Sequence, residues 1–120
     1  CIEPTIEGSY RDMKRYLEEN KSLPKALFAD NDILAMGASR ALKEMGYKLP
    51  NDVSVIGFDD MPYCLMMRPM LTTVQVNNAS MGIVAVRRLT DAIHGETDET
   101  VKIYVRTSLV KRNSVAEVKI

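Results

Sequence analysis

The sequence predicts an α/β fold in which a parallel sheet is flanked by helices. Three observations carry that expectation: short, almost wholly apolar runs, helical stripes between them, and polar clusters where the runs end. Parallel strands covered on both faces read as continuous apolar runs rather than as an alternation. Joining two of them requires a crossover, which a helix supplies in the right-handed sense.

Thr5 followed by Ile6, Tyr10, Met13 and Leu17 gives an N-cap and an apolar stripe at spacings of three and four, so a helix is expected over residues 5–20. Residues 22–24, ending in Pro24, stop it. Ala26-Leu27-Phe28-Ala29 is a short apolar run between Pro24 and the polar Asp30-Asn31-Asp32, and reads as a buried strand. The second helix carries Ile33, Leu34, Met36, Gly37, Ala38, Ala41, Leu42 and Met45, with Gly46 as its stop and small residues that suit close packing. Val53-Ser54-Val55-Ile56-Gly57-Phe58 is the next strand, followed by Asp59-Asp60 and an irregular, methionine-rich stretch to Met70, broken by Pro62 and Pro69. Leu71-Thr72-Thr73-Val74-Gln75-Val76 has strand character, and Asn77 or Asn78 caps a long helix with Met81, Ile83, Val84, Val86, Leu89 and Ile93, ended by Gly95. A polar loop over 96–100, one or two strands over 101–105 and 108–110, and a mobile tail after about Ser114 complete the expected order.

Composition narrows the function. The 120 residues are 46% hydrophobic and 27% charged, which argues against disorder. Lys+Arg and Asp+Glu both total 16, so no excess positive field is available to collect phosphates. No apolar stretch approaches the roughly 20 residues of a membrane span, and no basic-then-apolar leader opens the chain. Cys1 and Cys64 form no CxxC pair, so idle thiols are expected rather than a disulfide framework or a metal site. The chain begins at Cys1 without an initiator Met, and its first residues read as the end of a strand, so it is expected to be part of a longer protein.

Ligands of open parallel sheets bind beyond the carboxyl ends of the strands. Both such ends here carry strong hydrogen-bonding side chains, Asp30-Asn31-Asp32 and Asp59-Asp60. Carboxylates accept from several hydroxyls, and an amide both donates and accepts, which together suit a polyhydroxylated or otherwise polar ligand. Either cluster could instead simply cap the element that follows. A third reading gathers Asp30, Asp32, Asp59 and Asp60 around Mg²⁺, as in a receiver-like phosphoacceptor, but the lysine and hydroxyl residue that chemistry wants are not recognisable. GxSxG, HExxH, P-loop and GxGxxG motifs are absent, and His94, in the last turn of the long helix, suits the helix dipole better than catalysis. No enzyme, cofactor or metal is expected. Met61, Met66, Met67 and Met70 either face a partner or fill the core.

Pro24-Lys25-Ala26-Leu27-Phe28-Ala29-Asp30-Asn31-Asp32-Ile33-Leu34-Ala35-Met36-Gly37-Ala38 resembles a signature of the LacI/GalR transcription regulators. Leu49-Pro50-Asn51-Asp52-Val53-Ser54-Val55-Ile56-Gly57-Phe58-Asp59-Asp60, then Leu71-Thr72-Thr73-Val74, then Ser108-Leu109-Val110-Lys111-Arg112-Asn113-Ser114 continue it in order, so the resemblance covers about residues 5–114. It implies a Rossmann-like sheet forming the C-terminal part of a two-lobed, periplasmic-binding-protein-like effector domain. About residues 1–70 and 108–114 would belong to the C-terminal lobe, and about 71–107 to a crossover and to elements of the N-terminal lobe. Asn31, Asp59, Val76 and Pro4 would bind the effector, with Val76 standing where many relatives carry glutamine. Ile33, Met36, Gly37, Tyr63, Met66 and Met67 would form a two-fold dimer interface.

The function so implied is that of a cytoplasmic regulator, typically a repressor, whose homodimer senses a sugar or sugar derivative. It would bind DNA only through an N-terminal helix-turn-helix outside this chain. Apolar surface on the long helix and open sheet edges would then require covering by an additional partner, by strand exchange or by dimerisation. A periplasmic sugar-binding protein of a transporter is the alternative use of the same fold, and the crossover and the 108–114 ending resemble the regulators more.

Overall fold

The computed structural model describes residues 3–20, 22–95 and 99–117. Its elements are α1 (Ile6–Glu19), β1 (Ala26–Phe28), α2 (Asp32–Glu44), β2 (Ser54–Asp59), a short 3₁₀ turn (Pro62–Leu65), β3 (Thr72–Gln75), α3 (Asn78–Ile93) and β4 (Ser108–Val110). The sheet runs β1-β2-β3-β4, with β1 parallel to β2 and β2 parallel to β3. Ala26 pairs with Ser54 and Phe28 with Ile56, while Ile56 pairs with Thr72 and Asp59 with Gln75.

Local chemistry sets the helix ends. Thr5 Oγ1 accepts from Gly8 N at 2.9 Å, Asn31 Oδ1 from Leu34 N at 2.9 Å, and Asn77 Oδ1 from Ser80 N at 3.0 Å. Each bond satisfies a backbone donor left over by the helix geometry. At the far end of α2, Gly46 turns left-handed (φ 89°), and Tyr47 N bonds to Leu42 O while Gly46 N bonds to Lys43 O. This pair of bonds is the Schellman arrangement that glycine permits.

The chain divides into two compact units, Cys1–Gln75 with Leu109–Ile120, and Val76–Ser108. The core lies in the first, where Leu17, Ala35, Leu42, Val53, Val55, Cys64 and Leu71 form one buried cluster, with Met13, Leu23, Leu27, Tyr63 and Met67 packed against it. α1 meets α2 at Gly37, where an added Cβ would run into Ile6 O and lie 2.8 Å from both Ser9 Cβ and Tyr10 N. Ser9 Oγ donates to Leu34 O at 2.8 Å across the same crossing. Gly37, expected at a dimer interface, is thus buried at the crossing of α1 and α2.

Three expectations are corrected. β1 is not covered on both faces: Leu27 points to the core, whereas Ala26 is exposed and Phe28 is 62% exposed. A strand's side chains alternate between faces, and no element among the described residues covers the second face of β1. Residues 101–105 form no strand, because a strand exists only in a ladder and no strand among the described residues pairs with this segment; Val101, Ile103 and Tyr104 stand exposed. The chain at Ser114 and Ala116 is docked rather than loose. Buried Ser114 bridges β2 and β3, accepting from Thr72 N at 2.8 Å and donating to Val55 O, and Ala116 N donates to Ser54 Oγ at 3.0 Å. Most of the expected 96–100 loop, residues 96–98, lies outside the described residues.

Within the second unit, α3 buries none of its residues, and Met81, Ile83, Val86, Leu89 and Ile93 are exposed.

Replacing Gly37 by Ala tests the crossing. In an open helix this change stabilises by about 1 kcal/mol through propensity. Here overpacking against α1 backbone is expected to outweigh that gain and leave a net loss of about 1–3 kcal/mol in urea unfolding. A stabilised variant would show that the helices do not approach this closely.

Candidate effector-binding rim

β1 and β2 run parallel and in register, so the residues just past their carboxyl ends emerge at one rim of the sheet. Asn31 and Asp59 both lie there, and both are half-buried, neither sealed in the interior nor fully solvated. The Asn31 side chain uses its oxygen in a helix cap. Its Oδ1 caps α2 through Leu34 N, and its Nδ2 is not part of that bond. Asp59, the last residue of β2, has φ 107°, and Asp60 has φ 56°. A non-glycine residue at such values is uncommon and is held there only by surrounding structure.

Two clamps hold the turn. Asp32 is fully buried, its Oδ1 accepting from Thr73 Oγ1 at 2.6 Å and its Oδ2 from Met61 N at 2.8 Å. Gly57 makes room for this carboxylate, since a Cβ there would strike Asp32 Oδ1 and lie 2.9 Å from Leu71 Cδ2. On the other side, Asp60 Oδ1 accepts from Arg112 Nη2 at 2.6 Å, and Asp60 Oδ2 from Gln75 Nε2 at 3.1 Å. Of the rim's four carboxylates, Asp30 is exposed, and the other three have distinct fates. Asp32 and Asp60 are occupied by protein donors, which leaves Asp59 to be presented.

This allocation weighs against the receiver-like reading, in which Asp32 and Asp60 would have to turn their oxygens to Mg²⁺. Among the described residues, no group of three or more His, Cys, Asp or Glu side chains is arranged to hold a metal ion. Cys64 lies buried under the turn, where burial and then the neighbouring Asp32 carboxylate push its thiol up to about 12. A thiol so suppressed is no nucleophile. Tyr63, beside it, is also pushed up, by burial and then by Asp32, Cys64 and Asp59.

The remaining expected site residues are placed as follows. Pro4 is exposed in the bend before the Thr5 cap, and Val76 is half-buried, the first residue of the second unit. Ile33 and Met36 are half-buried on α2, Tyr63 and Met67 pack on the core cluster, and Met66 is 79% exposed. The methionine patch thus splits, Met67 to the core and Met66 to the surface. The sequence reading passed over Arg112 and Gln75 as site residues. A pair of adjacent acids at a strand end was the available sign that one of them needed a cationic partner.

Thr73→Val removes a donor from the buried Asp32 carboxylate, and its loss is expected to cost about 1.5–3 kcal/mol in chemical denaturation. No change would show that Thr73 does not hold Asp32. The Cys64 thiol sets a pH dependence as well. Between the ordinary thiol range and about 12, the unfolded chain has lost this proton and the folded chain keeps it. Stability therefore falls as pH rises through that window, by up to about 1.4 kcal/mol per pH unit from this group. Cys64→Ala is expected to flatten the alkaline limb of a stability-against-pH curve; superimposable slopes would contradict it.

The profile of the periplasmic binding protein-like domain matches residues 2–115. The HTH-type transcriptional repressor PurR of Erwinia tasmaniensis is 40% identical over 111 residues, a match that takes in 92% of this chain and 32% of that protein. The chain thus spans about a third of the length of the curated relatives it matches. Among solved structures, a lac repressor dimer bound to operator and the anti-inducer ONPF superposes with a TM-score of 0.84 at 30% identity, covering 92% of this chain and 38% of that one. A LacI family transcriptional regulator from Enterococcus faecium with bound ribose gives 0.83 at 30% identity, covering 98% and 43%. These relatives are transcription regulators, a non-enzymatic class. With the profile spanning nearly all of its length, the chain belongs to the periplasmic-binding-protein-like domain family, in the form carried by the LacI/GalR transcription regulators.

Proposed function

We propose that the chain is the effector-sensing and dimerisation part of a cytoplasmic LacI-type regulator, and that it binds a sugar-like small molecule controlling DNA binding by a head outside this sequence. The observation that carries the reading is the pairing of Asn31 and Asp59 at one rim, beyond the carboxyl ends of adjacent parallel strands. Asn31 Nδ2 offers donors while Asp59 offers acceptors, which is the combination a vicinal diol engages. The ribose-bound relative, similar over 98% of this chain, supports a saccharide as the occupant. The repressor dimer on its operator supports dimerisation and DNA control, with Met66, Met36 and Ile33 as the side chains offered to a second copy.

Regulation then follows from differential affinity. A ligand shifts the equilibrium between two arrangements only by as much as it prefers one of them. Because Asn31 both caps α2 and faces the rim, the helix end and the ligand contact are one object, and binding is sensed directly by the element that carries Met36.

Asn31→Ser separates the two duties, since serine still caps but lacks the amide donor. The variant is expected to keep its unfolding free energy within about 0.5 kcal/mol and to bind saccharide at least tenfold more weakly. The measurement is thermal stabilisation by D-ribose and a panel of mono- and disaccharides, where a ligand at 100 times its Kd stabilises by about 2.7 kcal/mol. Asp59→Ala is expected to abolish the shift. Undiminished binding by both variants would remove Asn31 and Asp59 from the site.

A further inference from the structure

Asp60 stands where three parts of the chain meet. One carboxylate oxygen takes Arg112 Nη2 at 2.6 Å and the other takes Gln75 Nε2 at 3.1 Å. Arg112 is fixed in turn, Nη1 donating to Leu71 O at 2.8 Å and its backbone N–H to Thr72 Oγ1 at 2.9 Å. The Asp60 and Arg112 side chains are each only 12% exposed. Gln75 is the last residue before the chain passes to its second unit at Val76, and the chain returns at Leu109, shortly before Arg112. A single side chain therefore holds the two segments that lead out of the first unit and back into it, one with each oxygen.

The same residue is half of the left-handed turn that presents Asp59, whose backbone pairs in register with Gln75. We propose that Asp60 is a positioning residue coupling the Asp59 turn to both connecting segments, so that whatever engages Asp59 changes the order of residues 75–76 and 109–112 together. The inference deepens the function proposed above and rests on Asp59 as the ligand contact. Its physical basis is a charge-assisted, partly buried network in which each bond orients the next. A plain brace between strands would need only Arg112 on the Leu71 carbonyl; running the carboxylate through the turn is what ties rim to connection. The planar guanidinium, with its donors in a rigid fork, fixes the orientation of that link.

A double-mutant cycle on the full chain, read by amide hydrogen exchange without ligand, tests the coupling. Asp59→Gly relaxes the turn, since glycine tolerates a φ of 107° without strain. It is expected to speed exchange at 75–76 and 109–112 at least tenfold in the otherwise native chain, and less than twofold in an Asp60→Asn background. Protection of the α2 amides reports that each variant is folded. Should Asp60→Asn lose that protection, Arg112→Lys, which keeps the charge and loses the fork, replaces it with the same expectation. An equal response in both backgrounds, or none in either, overturns the proposal. Titration with D-ribose separates the two readings: binding that survives Asp59→Ala sinks the assigned ligand contact while leaving the ligand-free cycle to judge Asp60. Ribose protection of the two segments that is identical in native and Asp60→Asn chains overturns the coupling itself.

Discussion

The carboxylate of Asp32 is the fixed point around which the first unit is assembled. It sits with no exposure at the start of α2, takes its hydrogen bonds from β3 through Thr73 and from the turn after β2 through Met61 N, and fills the space that Gly57 leaves in the middle of β2. A carboxylate buried without donors is strongly destabilising, so each of these partners must be in place for the unit to close. Helix geometry adds to the fit, since a negative group in the first turn complements the helix dipole. A residue that looks like one more member of an acidic cluster is in this way what aligns α2 with β2 and β3.

From this anchor the rim acquires its division of labour. With Asp32 turned inward and Asp60 held by Arg112, Asp59 is supported from both sides in a backbone conformation it would not adopt alone. Asn31 is held by its own cap. The side chains of the rim are therefore ordered by folding itself. Cys64 and Tyr63, packed beneath, supply bulk and lend the turn no chemistry, their acidities suppressed by burial beside carboxylates.

Apolar surface is distributed unevenly. Leu42, Leu71, Val53 and Val55 are fully or almost fully buried in the first unit, whereas α3 in the second shows its stripe of Met81, Ile83, Val86, Leu89 and Ile93 to solvent. Helices of this length draw most of their stability from packing an amphipathic face. The exposed faces of α3 and of β1 at Phe28 are surfaces with the composition of an interior, distinct from the isolated apolar residues any protein surface carries.

What the sequence by itself determined were the features governed by neighbours in the chain. The caps at Thr5, Asn31 and Asn77, the glycine stop at Gly46, the periodicity of α1 to α3 and the apolar runs of β1 to β3 all follow from interactions spanning a few residues, and each element lies within a residue or two of its expected span. The strand expected over 101–105 failed because β-branched and aromatic composition makes a segment fit for a ladder without providing one. Tertiary structure alone decided the destinations of similar side chains: Asp32 inward and Asp59 to the rim, Met67 to the core and Met66 to the surface, Gly37 to a helix crossing. It alone brought Asp60 to Arg112, 52 positions away, and Thr73 to Asp32, 41 away. A residue's chemistry states which bonds it can make, whereas packing across the whole unit selects the partner that is within reach.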